Sequence, residues 1–421
     1  MASEVVVLNN GLKVALIPCE AESVAFGLFV VSGSRHEGPA DAGISHFIEH
    51  MLFKGTPTRR PVDITRAIEG RGGNFNACTS EESTCYYAHL PNEYLAEAVD
   101  ILADMYLNAS FPEDEFVREK QVVLEEIKMY ADDPDTVVLE NLQRALFPRH
   151  PLGNPVAGTA ASLAPMTPET LRAYVKAHYT ADRTVAVIVG RFDPASALTL
   201  VEKKLGRCEG PHRESKKTHS TPPVAVGTVA STSRFLPPIA EISTTKDIQQ
   251  TQLAIGYRTF GVEDERRYAA TVMDAILGRG MSSRLFQEVR EKRGLSYDIS
   301  SRMQFFQDAG LFGVAAGLDG ANLGLAMRTI DREFEKIRMK KVSAAELKRI
   351  KEFLIGNFRL SHERITSKLF YHGSSLLSFG RLVPTEEQID GVRSVTPEDI
   401  LAVAQEILRP ENRSVSTVSP R

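Results

Sequence analysis

Apolar positions change period along this chain, and the changes mark out its elements. Around a turn at Asn9–Asn10–Gly11, "VVVLNN" and "GLKVALIP" alternate as the two arms of a hairpin, and "VAFGLFVVSG" reads as a more buried strand. Helical periodicity follows at Ala42–Phe53 and Ile64–Glu69, then two short strands, "NFNACTS" and "STCYYAHL". Longer helical stretches run over Asn92–Leu107, Glu113–Tyr130 and Thr136–Leu146. Thr167 with Pro168 supplies an N-terminal signal for another helix, and "RTVAVIVGRFD" returns to strand.

From about Gly210 to Pro238 the periodicity is lost, and the segment is rich in Ser, Thr, Pro and charge. It reads as a linker. The expected division is a first domain at 1–212, a linker at 213–238 and a second domain at 239–421. The second part repeats the first in outline. "TQLAIGYRTF" is a strand, "YAATVMDAILGRG" a helix ending in Gly, and "AGLFGVAAGL" a strand; two helices follow, "ANLGLAMRTIDREFEKI" and "SAAELKRIKEFLIGNF". "FIEHMLFKG" (Phe47–Gly55) aligns without gaps with "VMDAILGRG" (Val272–Gly280). His46 then faces Thr271, Glu49 faces Asp274 and His50 faces Ala275, so the helix persists in the second copy without its histidines.

Composition adds bounds rather than detail. The 421 residues are 43% hydrophobic and 25% charged, enough for two domains with cores. A net charge of −4 gives no reason to expect nucleic acid or an anionic membrane as partner. The start of the chain shows neither a secretory leader nor an amphipathic presequence, and no apolar run is long enough to span a bilayer. A cytoplasmic protein is the expectation. Four cysteines without a CxxC pair make no disulfide framework and suit a reducing compartment. Cys78 and Cys85 read either as neighbours on paired strands or as two buried small side chains.

Candidate chemistry lies in "GISHFIEHMLFKGT", Gly43 to Thr56. On a helix, residues four apart differ by about 40° around the axis, so His46, Glu49 and His50 project from one face. Two neutral imidazoles at that spacing suit Zn²⁺, with Glu49 beside them as the base that activates water. The H-x-x-E-H order is that of the inverzincins. Two histidines packed on an amphipathic helix are the plain alternative, and a third ligand would separate the readings. The acidic stretch "EDEFVREKQVVLEEIKMY" is the source to examine. Glu119 and Glu126 are seven apart and share a face, with Val122 and Val123 between them; a metal or simple solvent exposure would each compensate them.

At these motifs the sequence resembles the M16 metallopeptidases, the pitrilysin or inverzincin family, and its bacterial members related to the mitochondrial processing peptidase β subunit. "HFIEHMLFKGT", "GGNFNACTSEESTCYY" and "HPLGNPVAGT" match in position and type, and the resemblance runs from the first hairpin to about Asn412. It implies an α+β fold of two tandem homologous domains, each a mostly antiparallel sheet with helices packed on one side, together half of a clamshell. It also implies one Zn²⁺ per chain on His46, His50 and Glu126, the last standing 76 positions after the second histidine, with Glu49 as base and Glu119 as an acidic neighbour of the site. Arg290 and Tyr297, seven apart in "SSRLFQEVREKRGLSY", match the family's pair that contacts the substrate carbonyl. Without the resemblance, that stretch reads as a charged amphipathic helix ending at Gly294.

The implied activity is a zinc endopeptidase acting on peptides or unfolded segments in the chamber of a homodimer, with composite sites that pair one chain's zinc with the other's Arg290 and Tyr297. Substrate is expected to add as a strand on the edge at "GGNFNACTS", where Asn76 and Ala77 match the family's edge residues. Cys78 departs from the bulky aromatic often found there, which leaves one subsite's shape open. "LGRGMSS" is no counterpart of the long glycine-rich loop of the processing peptidase α subunit, so presequence specificity does not carry over. A non-catalytic peptide-binding or scaffold subunit is the competing reading, although such relatives lose parts of the zinc motif that this chain keeps. Hydrolysis of another bond at the same zinc is a third. The other histidines receive no role.

Overall fold

The computed structural model describes residues 3–210 and 237–421. Residues 213–236 of the expected linker, with His212 and His219, lie outside the described residues. The chain forms two compact units, each built on one sheet.

The first unit opens with β1 (Glu4–Val7), β2 (Lys13–Pro18) and β3 (Ser23–Val30), then α1 (Ile44–Leu52) and α2 (Pro61–Glu69). It continues with β4 (Asn74–Thr79), β5 (Thr84–Pro91), α3 (Leu95–Asn108) and α4 (Glu113–Asp132). After α5 (Pro134–Leu146) come α6 (Ala160–Leu163), α7 (Pro168–His178), β6 (Thr184–Gly190) and α8 (Pro194–Leu205). The second part has β7 (Glu241–Lys246), β8 (Thr251–Thr259), α9 (Arg267–Gly278), a π-helical turn at Phe286–Glu291, β9 (Ser296–Phe305) and β10 (Gly310–Leu318). It ends with α10 (Leu323–Met339), α11 (Ala344–Ser361), α12 (Ile365–Phe379), α13 (Thr385–Ser394), α14 (Pro397–Ile407) and β11 (Arg413–Pro420).

The repeat seen in the sequence is also a repeat of topology. The first sheet runs β1-β2-β6-β3-β5-β4 and the second β7-β11-β8-β10-β9, so β7, β11, β8, β10 and β9 stand where β2, β6, β3, β5 and β4 stand. In each sheet the last strand of the repeat inserts beside the first as a parallel neighbour; the remaining pairings are antiparallel. Helices α1 and α9 occupy equivalent places, between β3 and β4 and between β8 and β9.

Each sheet packs its main helical layer on one face and a single helix on the other. On the first sheet, Val14, Leu16, Phe26 and Leu28 meet the helical layer, whereas Ala15, Ile17, Ala25 and Phe29 meet Leu369 and Leu376 of α12. On the second sheet, Ala254, Leu311 and Val418 meet Val138, Leu142 and Leu146 of α5. Burial on both faces explains why β2 and β3 read as nearly continuous apolar runs. The compact units therefore depart from the two contiguous stretches read from the sequence. The first takes in Leu360–Val383 with α12, and the second takes in Lys128–Asn154 with α5. No described helix is long and apolar enough to cross a membrane.

Candidate metal centre

Helix α1 is fixed at its start before it presents any chemistry. Its N-cap, Gly43, has φ 92°, and a Cβ there would lie 2.6 Å from the carbonyl oxygen of Ala157. Only glycine fits that approach. The buried carboxylate of Glu37 accepts hydrogen bonds from the Gly43 and Ser45 amides, at 2.7 and 2.8 Å, and so satisfies the open N-terminal turn. Ile44, Phe47, Ile48, Met51 and Leu52 bury the inner face. His46, Glu49 and His50 are left on the face turned toward α4 and β4.

The three donors expected from the sequence converge. His46 Nε2 lies 3.7 Å and His50 Nε2 3.4 Å from Glu126 Oε2, and the ligand atoms of the three residues all lie within 4.8 Å of one another. Donors about 2.0–2.1 Å from one tetrahedral ion sit roughly 3.3–3.5 Å apart, so the cluster has the dimensions of a zinc site. Two imidazoles and one carboxylate are also the donor chemistry that zinc takes. The residues fit the ion. Among the described residues this is the one cluster of three or more such side chains spaced to hold a metal.

Around the donors lie the acids that tune them. Glu119, 6% exposed, accepts from His50 Nδ1 at 2.9 Å through Oε1, and its Oε2 pairs with the Lys54 ammonium. That hydrogen bond places the His50 proton on Nδ1 and leaves the Nε2 lone pair for the metal. His46 Nδ1 is buried and has no partner among the described residues. Burial and the neighbouring His50 lower the pKa of His46 to about 4, against the pull of Glu126, so its imidazole is neutral. Burial would also lower His50, but the hydrogen bond and charge of Glu119, with Glu126 and Glu49, outweigh it and raise the value. For Glu119, burial works upward, and the His50 and Lys54 contacts overcome it to hold the carboxyl below its usual range.

Glu49 stands beside the donors without joining them. Its Oε2 accepts from the Thr79 hydroxyl at 2.6 Å, and burial pushes its carboxyl above the usual range, with Thr79 partly offsetting the rise. A higher pKa makes a carboxylate a stronger base, suited to take and return a proton. Thr79 ends β4, an edge strand, so the hydroxyl that meets Glu49 lies on the same strand as Asn76 and Ala77. Asn76 is exposed, and its Oδ1 accepts from the Ala77 amide at 2.9 Å.

Two details of the sequence reading are corrected. Val123 lies buried between Glu119 and Glu126, but Val122 is 49% exposed and turned away, because it falls about 60° off the Glu119 direction on the outer side. The stretch before Tyr297 is not one helix ending at Gly294. A π-helical turn carries Arg290, and Tyr297 lies on β9. The Arg290 guanidinium sits over the rings of Phe286, at 4.7 Å, and Tyr297, at 4.9 Å, with Tyr297 79% exposed. Cys78 and Cys85 are direct cross-strand neighbours, the first exposed and the second buried. Glu37, Thr79 and Lys54 join the site only in the fold. Thr79 and Lys54 lie inside stretches already singled out, whereas no local pattern marks Glu37.

Fold and site together define a repeated α+β protein in which one copy carries a zinc-type donor set and the other does not. Comparison with known proteins names the family. Residues 13–160 match the model described as insulinase (peptidase family M16), and residues 165–354 match the peptidase M16 inactive domain. The uncharacterized zinc protease YmxG of Bacillus subtilis is 34% identical over 417 residues, 98% of this chain and 97% of its own. The uncharacterized zinc protease Rv2782c of Mycobacterium tuberculosis is 37% identical over 403 residues, 95% of this chain and 90% of its own. A protease from Helicobacter pylori shares the fold, with a TM-score of 0.91 at 22% identity, covering 100% of this chain and 99% of that one. The chain belongs to peptidase family M16.

Proposed function

We propose that the chain is a zinc-dependent endopeptidase that cuts peptides or unfolded segments. The observation that carries the reading is the convergence of His46, His50 and Glu126, with the raised carboxylate of Glu49 beside them. Kinship with zinc proteases over nearly the whole chain supports it. Bound there, zinc supplies Lewis acidity for a peptide carbonyl and brings the pKa of water from 15.7 toward about 7. Glu49 takes the proton of the attacking water and returns it to the leaving amine. Thr79 holds one Glu49 oxygen while it does so, and Glu119 orients His50. Arg290 and Tyr297 are proposed as donors to the developing oxyanion, supplied by the second chain of a homodimer. The open edge of β4 would receive the substrate as an added strand, with Asn76 and Ala77 as its contacts.

The test is Glu49→Gln beside wild type on a pool of unstructured peptides, with bound metal quantified in both. Wild type should cleave and Glu49→Gln should lose about 10²–10⁴-fold, each with one zinc per chain. Zinc in both and cleavage by neither would favour the non-catalytic, peptide-binding reading.

A further inference from the structure

Lys54 follows α1 by two residues, and its ammonium pairs with Glu119 Oε2 while Glu119 Oε1 faces His50 Nδ1. The three side chains form one chain of contacts ending at a donor atom of the metal cluster. We infer that Lys54 is a positioning residue of the zinc site, acting through Glu119 to hold the His50 imidazole in the orientation and tautomer that ligate. The inference rests on the metal reading of His46, His50 and Glu126.

Three observations carry it. Glu119 is almost fully buried, and Glu126, against both histidines, and Glu49, near His50, add further carboxylate charge. A buried carboxylate needs a compensating partner, and Lys54 is the cation that supplies one. A carboxylate has two oxygens in fixed relation, so anchoring Oε2 on Lys54 also fixes where Oε1 points. That restrains the direction of the hydrogen bond to Nδ1, and with it the direction of the Nε2 lone pair. Finally, the repeat contains its own contrast. In the gapless alignment Lys54 corresponds to Arg279, and Arg279 pairs with Asp274, the counterpart of Glu49. In the copy without histidines the cation at this position turns back onto the acid of its own helix. In the metal-type copy it reaches across to α4, and Glu49 has no Lys or Arg ion pair among the described residues.

The test measures zinc affinity by competition with a chromogenic chelator in wild type, Lys54→Met, Lys54→Gln and Lys54→Arg. Near-ultraviolet circular dichroism monitors the fold. Lys54→Met and Lys54→Gln should each bind zinc about 10–100-fold more weakly, and Lys54→Arg, which keeps the charge, should recover most of the loss. In a Glu119→Gln background, Lys54→Met should add little, because its effect runs through that carboxylate. Wild-type zinc affinity in a folded Lys54→Met or Lys54→Gln chain would overturn the inference. So would an equal loss with and without Glu119, which would make Lys54 a general prop of the end of α1. If Lys54→Met does not fold, Lys54→Gln decides by the same criteria. Failure of the wild-type chain to bind zinc would instead remove the metal reading itself.

Discussion

An imidazole ligates through one nitrogen only if its proton rests on the other, and a base works only if its carboxylate is held toward the water it deprotonates. At His50 the first condition is met by Glu119, and at Glu49, the proposed base, the second is served by the Thr79 hydroxyl. A hydrogen bond to a charged group contributes about 1.5–3 kcal/mol. Thr79→Val should therefore lower kcat by about 10–100-fold, at roughly 1.4 kcal/mol per tenfold, with zinc content and KM little changed. Thr79→Ser should restore the rate. Peptide kinetics with a metal assay check both, and an unchanged kcat in Thr79→Val would remove the hydroxyl from the role given to it. At this scale much of the site was legible. His46, Glu49 and His50 follow from helical spacing alone, because i, i+3 and i+4 neighbours are set by local geometry. Thr79 was not, since nothing in its own neighbourhood tells which face of β4 meets α1.

The two copies of the repeat show how an element's packing decides what its side chains can do. In the second copy Gly278 stands at the position of Phe53, and a Cβ there would lie 2.6 Å from the Ser301 amide nitrogen, so α9 rests directly on β9. Asp274 is sealed against that strand, accepting from Ser301 Oγ at 2.5 Å and from Arg279. In the first copy Phe53 packs on Phe75 of β4, with ring centroids 5.4 Å apart, and the acid of α1 meets only the Thr79 end of the strand. The outer helices depend on glycine in a parallel way. Gly27 and Gly256 occupy the same place in β3 and β8, under Leu369 of α12 and Leu142 of α5. Helix α12 adds Gly373, where a Cβ would fall 2.4 Å from the Phe29 ring. Gly373→Ala should cost about 1–3 kcal/mol by overpacking a face that has no room. Denaturant unfolding of the two proteins measures this, and equal midpoints would mean that α12 shifts freely. The strands and most helices could be read from periodicity, but the seat of α12 on the first sheet could not, because an apolar helical face does not name the sheet it will cover.

For the whole molecule, the residues proposed for one reaction are shared between two units. The first holds the candidate metal donors and Glu49, and the second holds Arg290 over the rings of Phe286 and Tyr297. If the oxyanion donors come from the second chain of a homodimer, mixing Glu49→Gln chains with Arg290→Ala/Tyr297→Ala chains should restore activity, since each mixed dimer keeps one intact composite site. Subunit exchange is verified by mass-tagged chains, and no recovery after complete exchange would rule out the trans arrangement. The sequence by itself determined the strand and helix pattern, its repeat and the helix bearing two histidines and a glutamate, because these rest on periodicity and spacing within a few turns of chain, while the family and its α+β fold came from the resemblance of separated motifs. Only the tertiary structure decided that Glu119, 69 residues from His50, lies within hydrogen-bond reach of it, that Lys54 closes the contact from the other side, and that α5 and α12 exchange sheets. Those contacts join surfaces whose local patterns are satisfied by many partners, and burial against one particular neighbour selects among them.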